Sequence, residues 1–298
     1  MGDKNILHML TPLKHVSPFD ANMALDAGFD AVISYANVER GEVAALVQDA
    51  IFSRPPKLGP RTGFFFGGKD ALLALDMLEA AKTAMVPPFA ASLFADPAGS
   101  FTTAAALVTC VEKVLGAKLS RSLSGLTVAV FGATGVVGFS SAVIAARQGA
   151  KVILIGYDGP ERVRKAADEA TRRFDVALNF ADGSSREKIG TLLSSAEVAF
   201  CAGRAGVRIL DQEQLRATPS LIVAADVNAV PPSGVEGLKM EANGEPIGQS
   251  RTLGVGPLTI GQLKSKTESG LFRRMIAAEK PVVFDFRDAF DLARELAK

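Results

Sequence analysis

Residues 128–138 read V-A-V-F-G-A-T-G-V-V-G, and this stretch decides the fold of the 298-residue chain. An apolar run leads directly into three glycines, Gly132, Gly135 and Gly138, and an apolar helical pattern follows them. The run predicts a buried strand, so the glycines form the turn between a strand and a helix. Because glycine has no Cβ, such a turn lets a phosphate approach the unpaired amides at the helix start. The stretch therefore predicts a site for the pyrophosphate of a dinucleotide; a turn that only packs helix on strand is the alternative.

A carboxylate follows at the distance that a dinucleotide requires. The next predicted strand ends at Asp158, twenty positions after Gly138. In dinucleotide-binding folds this carboxylate accepts hydrogen bonds from the adenosine ribose and repels a 2′-phosphate, which favours NAD. Arg162, Arg164 and Lys165 follow within two helical turns and could pair with that phosphate, or could form a solvated helix face. The sequence therefore predicts NAD, NADP or both.

Two later segments also follow predicted strands. Cys201, Ala202 and Gly203 come after one strand, and Asp226 and Asn228 come after the next. Open α/β sheets bind ligands at the carboxyl ends of their strands. The glycine would let the backbone approach the nicotinamide riboside. The Asp and Asn side chains would fix its amide or the substrate, or would hold their own turn.

A last glycine-containing segment completes the predicted cofactor site. Leu253–Gly261 is expected to open a helix, and its Gly256 and Leu258 either close over the nicotinamide or only begin that helix. The predicted cofactor-binding residues are Gly132, Ala133, Thr134, Gly135, Val136, Val137, Gly138, Asp158, Arg162, Cys201, Ala202, Gly203, Asp226, Asn228, Gly256 and Leu258.

Short apolar runs alternate with longer helical patterns along the whole chain, and Thr62–Phe66 and Val198–Cys201 are among the runs that predict strands. This alternation predicts an α/β protein of two domains, each a mainly parallel sheet with flanking helices, the second Rossmann-like. A polar stretch, Leu119–Gly125, precedes the second set of strands. We predict a substrate domain over residues 1–104, a dinucleotide-binding domain over 105–275 and a C-terminal segment, 276–298, that returns to the first domain. This is the amino-acid-dehydrogenase-like architecture.

Charge and cysteine content exclude other classes of protein. Lys and Arg number 33 and Asp and Glu 32, and no block of like charge predicts binding to nucleic acid or a membrane surface. Cys110 and Cys201 lie in apolar runs without metal-ligand spacing, which predicts buried thiols, no metal and a reducing cytoplasm. No signal-peptide pattern opens the chain, and no apolar stretch approaches the roughly 20 residues that span a bilayer.

A nicotinamide cofactor implies hydride transfer, and the chain has no obvious partner for a proton. It has no Ser-His-Asp arrangement, no Tyr-x-x-x-Lys pair and no His/Cys cluster for zinc. A methylene group between two nitrogens can lose hydride alone, because the nitrogen lone pairs stabilise the cation that forms. Catalysis would then depend on positioning and electrostatics.

Several motifs carry a resemblance to a known family. H-M-L-T-P-L-K-H-V-S-P-F-D (His8–Asp20), F-A-D-P-A-G-S-F-T-T-A-A-A (Phe94–Ala106), the glycine turn and D-V-N-A-V-P-P-S-G (Asp226–Gly234) resemble the bacterial NAD(P)-dependent methylene-tetrahydromethanopterin dehydrogenases. The resemblance runs nearly end to end. G-V-G-P-L-T (Gly254–Thr259) is similar to a motif of the methylene-tetrahydrofolate dehydrogenases.

The resemblance implies a homo-oligomeric enzyme of one-carbon metabolism. Its implied reaction is the oxidation of methylene-tetrahydromethanopterin to the methenyl form during formaldehyde oxidation, with NAD or NADP as the acceptor. The alternatives are a methylene-tetrahydrofolate dehydrogenase, a shikimate-dehydrogenase-like NAD(P) alcohol dehydrogenase and a dinucleotide-sensing protein without chemistry.

The resemblance leaves the lysine of the site unassigned. Folate dehydrogenases carry a catalytic lysine where this chain has Glu39, and strictly NADP-dependent pterin enzymes carry one where it has Thr259. We therefore assign the role to Lys14, which we expect to orient the pterin carbonyl or tune the electrostatics and not to remove a proton.

The substrate is expected on two segments of the first domain. The loop from Thr11 to Asp20 follows the first strand at its carboxyl end, and a hydride-only reaction leaves its histidine, His15, no proton to take. Asp96 is expected to bind the amino-pyrimidine edge of the pterin, whereas nearby hydroxyls could instead cap the next helix, a role that stabilises by about 1 kcal/mol. The predicted substrate-binding residues are Thr11, His15, Ser17, Asp20, Asp96, Ser100 and Thr102.

Overall fold

Two mainly parallel sheets form the framework of the computed structural model, which describes residues 3–298. The strands are β1 (Ile6–Leu10), β2 (Ala31–Tyr35), β3 (Thr62–Phe66), β4 (Ser92–Ala95), β5 (Thr127–Phe131), β6 (Lys151–Gly156), β7 (Asn179–Asp182), β8 (Val198–Cys201), β9 (Val223–Asp226), β10 (Asn243–Pro246), β11 (Leu253–Val255) and β12 (Val283–Phe284). The helices are α1 (Pro18–Ala27), α2 (Val43–Phe52), α3 (Ala71–Thr83), α4 (Ser100–Leu119), α5 (Val136–Arg147), α6 (Glu161–Phe174), α7 (Arg186–Leu193), α8 (Gln212–Ala217), α9 (Pro257–Ala277) and α10 (Phe286–Leu296).

The chain divides into two compact units. The first unit comprises the residues up to Thr102 together with Ser265–Leu292, and the second comprises Thr103–Lys264 and Ala293–Lys298. The first sheet has the strand order β12-β4-β3-β1-β2, and every pair in it is parallel. The prediction of an α/β fold built on parallel sheets is therefore confirmed.

The second sheet has the order β10-β11-β9-β8-β5-β6-β7 and is parallel apart from β10. From β5 the chain adds β6 and β7 on one side and then returns to place β8 and β9 on the other. The order therefore reverses between β5 and β8, and in open α/β sheets this switch point is where ligands bind. The predicted Rossmann-like topology of the second domain is confirmed.

The second half of α9 belongs to the core of the first unit. Its Phe272 is fully buried and lies edge-on to Phe94, with ring centroids 5.2 Å apart, and 5.6 Å from Phe65. Such aromatic pairs add to the free energy gained from their burial. The chain therefore re-enters the first unit at Ser265, inside a continuous helix and earlier than the predicted residue 276.

The C-terminal segment contributes to both units. β12 pairs with β4 in the first sheet. Residues Ala293–Lys298, however, group with the second unit, where Arg294 Nε lies 3.0 Å from Glu112 Oε2. The amphipathic pattern of α10 indicates a buried face without indicating which core covers it.

The segment Leu253–Gly261 opens a helix as predicted, but it also contains a strand that was not predicted. Its first residues form β11, which pairs with β9 and β10, and α9 begins only at Pro257. A Cβ at Gly254 would overlap the side chain of Leu238, so the strand depends on a residue without a side chain. β10 was not predicted, because its sequence, N-G-E-P, consists of residues that are depleted in strands.

The segment Pro97–Leu119 is long and apolar enough to cross a membrane by length and composition, contrary to the expectation of no such stretch. In the structure, 78% of its apolar window is buried inside the protein. This burial is typical of the core helix of a soluble protein.

Candidate functional site

The predicted glycine turn joins β5 to α5 in the second unit. Gly132 has φ +72°, and a Cβ there would overlap the carbonyl oxygen of Ala202 on the neighbouring loop. A Cβ at Gly138 would in turn overlap the carbonyl oxygen of Gly132. At two of the three positions glycine is therefore required, because backbone atoms of other residues come too close to allow a Cβ.

No side chain among the described residues caps the start of α5. Phe139 N donates to Gly135 O at 2.9 Å, so the amides of the first turn before it have no intrahelical acceptor. These amides and the partial positive charge of the helix end suit an anion.

A cavity of about 630 Å³ lies beside this turn and is lined by residues of the second unit alone. Its size suits a small molecule or part of a larger cofactor. Of the predicted cofactor-binding residues it brings together Gly132, Ala133, Thr134, Gly135, Asp158, Ala202 and Gly203. Residues that the sequence did not single out also line it: Phe131, Ile155, Gly156, Tyr157, Val163, Gly183, Ile189, Arg204, Val207, Arg208 and Ile209.

Arg162 contacts three residues that line this cavity and therefore lies at its edge. Its Nη1 donates to Asp158 Oδ2 at 3.1 Å and to Tyr157 Oη at 3.2 Å, and its Nη2 donates to Thr134 Oγ1 at 3.4 Å. These contacts raise the pKa of Arg162, chiefly through the hydrogen bond to Asp158. Arg164 instead pairs with Glu161 at 2.7 Å on the same helix. Only one of these two arginines is therefore tied to the predicted ribose carboxylate.

The other predicted cofactor residues do not line the cavity. Asp226 is fully buried and accepts hydrogen bonds from the amides of Asn228 at 2.9 Å and Gly234 at 2.7 Å. Burial raises the pKa of Asp226, while these hydrogen bonds oppose the rise. Asn228 Nδ2 donates to the carbonyls of Gly203 and Arg204, both at 3.2 Å. The two side chains thus hold loops together, which is the alternative that the sequence left open.

The remaining predicted cofactor-binding residues also lie outside the cavity. Cys201 is fully buried, and burial raises the pKa of its thiol. A Cβ at Gly256 would overlap the carbonyl oxygens of the turn at residues 239–240, while Leu258 is 43% exposed. Val136 and Val137 open α5. Direct contact of these residues with a cofactor stays a prediction.

A second cavity, of about 460 Å³, lies in the first unit. It brings together five predicted residues of the loop after β1 and the start of α1: Thr11, Lys14, His15, Ser17 and Asp20. Its other lining residues are Met9, Leu10, Leu13, Val16, Phe65, Gly67, Gly68, Lys69 and Ala98. The loops that follow β1, β3 and β4 meet here, at the carboxyl ends of adjacent parallel strands.

The loop between the two prolines is fixed by local hydrogen bonds. Thr11 is buried, its amide donates to Tyr35 O at 3.0 Å, and its hydroxyl accepts from Leu13 N at 3.2 Å. Ser17 is the N-cap of α1 and accepts from Asp20 N at 3.3 Å, with Pro18 at the first helical position. The exposed side chains of Lys14 and His15 are therefore the groups that this framework presents to a ligand.

Sequence reasoning missed the segment Gly67, Gly68 and Lys69. The segment follows β3, Gly67 N donates to Leu10 O at 2.9 Å, and Gly68 has φ +125°. The signal was present, because G-G-K directly follows a strand that the sequence predicted. The sequence did not show that the loop after β1 lies next to this segment, because that depends on the strand order of the sheet.

Asp96, Ser100 and Thr102 do not line this cavity. Asp96 is fully buried, and its Oδ1 accepts from Phe101 N at 2.7 Å and from Thr102 N at 3.2 Å. Its Oδ2 accepts from the Thr102 hydroxyl at 2.6 Å. These contacts cap the start of α4, so the geometry favours the structural role over the expected contact of Asp96 with the pterin. Substrate binding by these three residues stays a prediction.

The second histidine of the chain lies outside both cavities. His8 stacks on Phe64 with a centroid distance of 5.1 Å, and its Nδ1 lies 3.1 Å from Tyr35 Oη. Burial, and then the charge of Arg54, lower the pKa of His8. Within residues 3–298, no group of three or more His, Cys, Asp or Glu side chains could hold a metal ion.

Comparison with known proteins shows the family of the chain. Residues 18–98 match the family model described as methylene-tetrahydromethanopterin dehydrogenase, N-terminal. The chain is also 49% identical over 294 residues to the NAD(P)-dependent methylenetetrahydromethanopterin dehydrogenase of Methylorubrum extorquens, covering 99% of each chain.

Solved structures show the fold. The 5-ketofructose reductase of a Gluconobacter species has a TM-score of 0.53 at 14% identity over 99% of each chain. Shikimate 5-dehydrogenase from Listeria monocytogenes has a TM-score of 0.52 at 14% identity, covering 100% of this chain and 98% of that one. At this identity the similarity concerns architecture alone.

Proposed function

The chain belongs to the methylene-tetrahydromethanopterin dehydrogenase family, and from this premise we propose that it oxidises methylene-tetrahydromethanopterin to the methenyl form with NAD or NADP. The observation that carries the proposal is the 49% identity over 99% of the chain, which includes both cavities. The reaction removes a hydride from the carbon that bridges two nitrogens.

The residues of the second unit fit a dinucleotide. A Cβ would fill the turn at Gly132, and the first amides of α5 have no intrahelical acceptor. Asp158 lines the same cavity, where its carboxylate can accept hydrogen bonds from the adenosine ribose. When bound, the nicotinamide supplies the hydride acceptor.

Arg162 supports the use of both cofactors. A bare carboxylate at Asp158 would repel the 2′-phosphate of NADP, but here a guanidinium lies 3.1 Å from that carboxylate. The fork of Arg162 can serve as a donor to a phosphate or stay with the carboxylate. We therefore propose that both NAD and NADP bind in this cavity.

The first unit would bind the pterin. Thr11, Ser17 and Asp20 line the cavity, and Lys14, exposed in the same lining, would donate to the pterin carbonyl. His15 lines the cavity without a proton to accept, because the nitrogen lone pairs stabilise the cation that hydride loss leaves. Turnover then depends on how the chain positions the substrate and not on a general base.

The test is to count both hydride equivalents and protons. Purified protein is mixed with methylene-tetrahydromethanopterin and either NAD or NADP in weak buffer with a pH indicator. We expect reduced nicotinamide to form without release of a proton. Oxidation of an alcohol would release one proton for each reduced nicotinamide, and no reduced nicotinamide with either cofactor would contradict the proposal. Methylene-tetrahydrofolate, assayed in parallel, separates the pterin from the folate activity.

Cellular location and assembly are part of the same proposal. Both thiols are buried and free, which suits a reducing cytoplasm. The enzyme of this family is expected to be a homo-oligomer, and light scattering of the purified protein measures its subunit number.

A further inference from the structure

Lys69 is a second exposed lysine in the cavity of the first unit. It lines the same cavity of about 460 Å³ as Lys14, although it lies far from it in the sequence. Within residues 3–298, neither ammonium group takes part in a hydrogen bond or ion pair. A lysine side chain that is ordered by neither a partner nor burial is available to a ligand.

The backbone fixes the position of Lys69 relative to the β1 loop. Gly67 N donates to Leu10 O at 2.9 Å, and a Cβ at Gly68 would lie 3.3 Å from Pro12. Gly68 also has φ +125°, a backbone conformation that residues with a side chain rarely adopt. The two glycines therefore hold the residue after them against the loop that carries Lys14.

The charges of the cavity favour an anion. Its lining has two lysines, Lys14 and Lys69, against one carboxylate, that of Asp20, which is 2% exposed. Opposite charges attract most strongly where water is partly excluded. A ligand with a negatively charged group is therefore favoured over a neutral one.

The negatively charged group of the ligand that Lys69 contacts cannot lie at the reacting carbon. Loss of hydride leaves a positive charge there, and a second ammonium group beside it would oppose the reaction by Coulomb repulsion. A negative group in a part of the substrate remote from the bridging methylene avoids this repulsion. We therefore expect the group that suits Lys69 in a side chain of the pterin.

We propose that Lys69 binds an anionic group, a phosphate or a carboxylate, in the side chain of the tetrahydropterin substrate. This inference rests on the proposed function. It gives the two lysines of one cavity different tasks: Lys14 contacts the pterin ring, and Lys69 contacts the acidic tail and contributes to substrate affinity.

The kinetic test compares Lys69→Gln and Lys69→Arg with wild type. We expect Lys69→Gln to raise KM for methylene-tetrahydromethanopterin roughly fivefold to tenfold at low ionic strength, since a charge-assisted contact is lost. kcat and KM for the nicotinamide cofactor should stay unchanged, and Lys69→Arg should keep most of the affinity. Added salt should raise the wild-type KM and should hardly affect Lys69→Gln.

Lys57→Gln is the matched control, because it removes the same charge from an exposed lysine of the same unit outside the cavity. Its KM should equal that of wild type. An equal rise in KM in both variants, or a fall in kcat at unchanged KM in Lys69→Gln, would overturn the proposal.

Direct titration separates this inference from the proposed function. Inorganic phosphate and glutarate are titrated by calorimetry into wild type and Lys69→Gln, without turnover. We expect at least one anion to bind wild type and to bind Lys69→Gln several-fold more weakly. The anion that loses affinity indicates whether a phosphate or a carboxylate is recognised. Equal binding of both anions to both proteins would contradict the role of Lys69, whereas absence of wild-type turnover would contradict the proposed function alone.

Discussion

At the scale of single residues, the proposed choice between NAD and NADP depends on one ion pair. Asp158 precedes α6 and Arg162 lies four residues later, within α6, and the guanidinium of Arg162 also reaches Tyr157 and Thr134. A carboxylate favours a ribose hydroxyl, whereas a guanidinium favours a phosphate in its place. The structure places both groups at the edge of one cavity, so each can be removed separately.

Arg162→Gln should lower kcat/KM with NADP roughly tenfold and change that with NAD by less than about twofold, because only the 2′-phosphate needs the guanidinium. Initial rates with each cofactor at saturating methylene-tetrahydromethanopterin measure both values. Asp158→Ala should lower the efficiency with NAD more than with NADP.

Arg164→Gln is the control for Arg162→Gln. It removes the same charge from the same helix, but Arg164 pairs with Glu161 and Asp168 away from the cavity. Its cofactor preference should match that of wild type. Equal losses with NAD and NADP in Arg162→Gln would argue against the phosphate role.

At the scale of elements, a glycine in α4 and a glycine in α5 differ in whether a side chain would fit at their positions. Gly138 in α5 has no room for a Cβ, which would overlap Gly132 O of the preceding turn. Gly116 in α4 has no atom within 4 Å of the position of a Cβ. The first glycine is required by packing, whereas the second only weakens its helix.

Gly116→Ala should raise the free energy of unfolding by about 0.5–1 kcal/mol, since alanine restricts the unfolded chain and fits the helix. Gly138→Ala should lower it by about 1–3 kcal/mol through the clash with backbone, and should also weaken cofactor binding. Urea unfolding and titration with reduced nicotinamide measure the two effects. A stable Gly138→Ala variant with normal cofactor affinity would show that the turn tolerates a side chain.

At the scale of the whole molecule, both thiols lie in the second unit. Burial raises the pKa of Cys110 to about 11, against an opposing effect of Lys113. The pKa of Cys201 is raised by burial and by the nearby charge of Asp226. Since the thiolate is the reactive form, both groups are inert until the second unit opens.

Native protein at pH 8 should therefore not react with a disulfide reagent, and denaturant should expose both thiols in one transition. On unfolding, the pKa of Cys110 returns to its usual value near 9, so the thiolate fraction and the labelling rate rise together. Labelling at increasing urea concentration, followed by mass spectrometry of each cysteine, measures this. Cys110→Ala isolates Cys201. Rapid labelling of either cysteine in native protein would contradict the burial that the structure shows.

The sequence by itself determined the features that local pattern encodes. Strand β3 (Thr62–Phe66) and strand β8 (Val198–Cys201) were predicted with the bounds that the structure gives them, because compact apolar runs between turn residues are a local signal. The glycine spacing at 132–138 predicted a strand–turn–helix unit for the same reason. The end-to-end family resemblance predicted the activity class, which the comparison with the Methylorubrum extorquens enzyme supports.

Only the tertiary structure decided the features that depend on residues far apart in the chain. Lys69 and Lys14 line one cavity because β3 lies beside β1. The local sequence of the loops after these strands does not determine that strand order. β10 forms from a segment with little strand propensity, because β11, which is itself paired with β9, provides its hydrogen-bond partners. In each case a contact between distant residues, and not a local preference, sets the free energy of the arrangement.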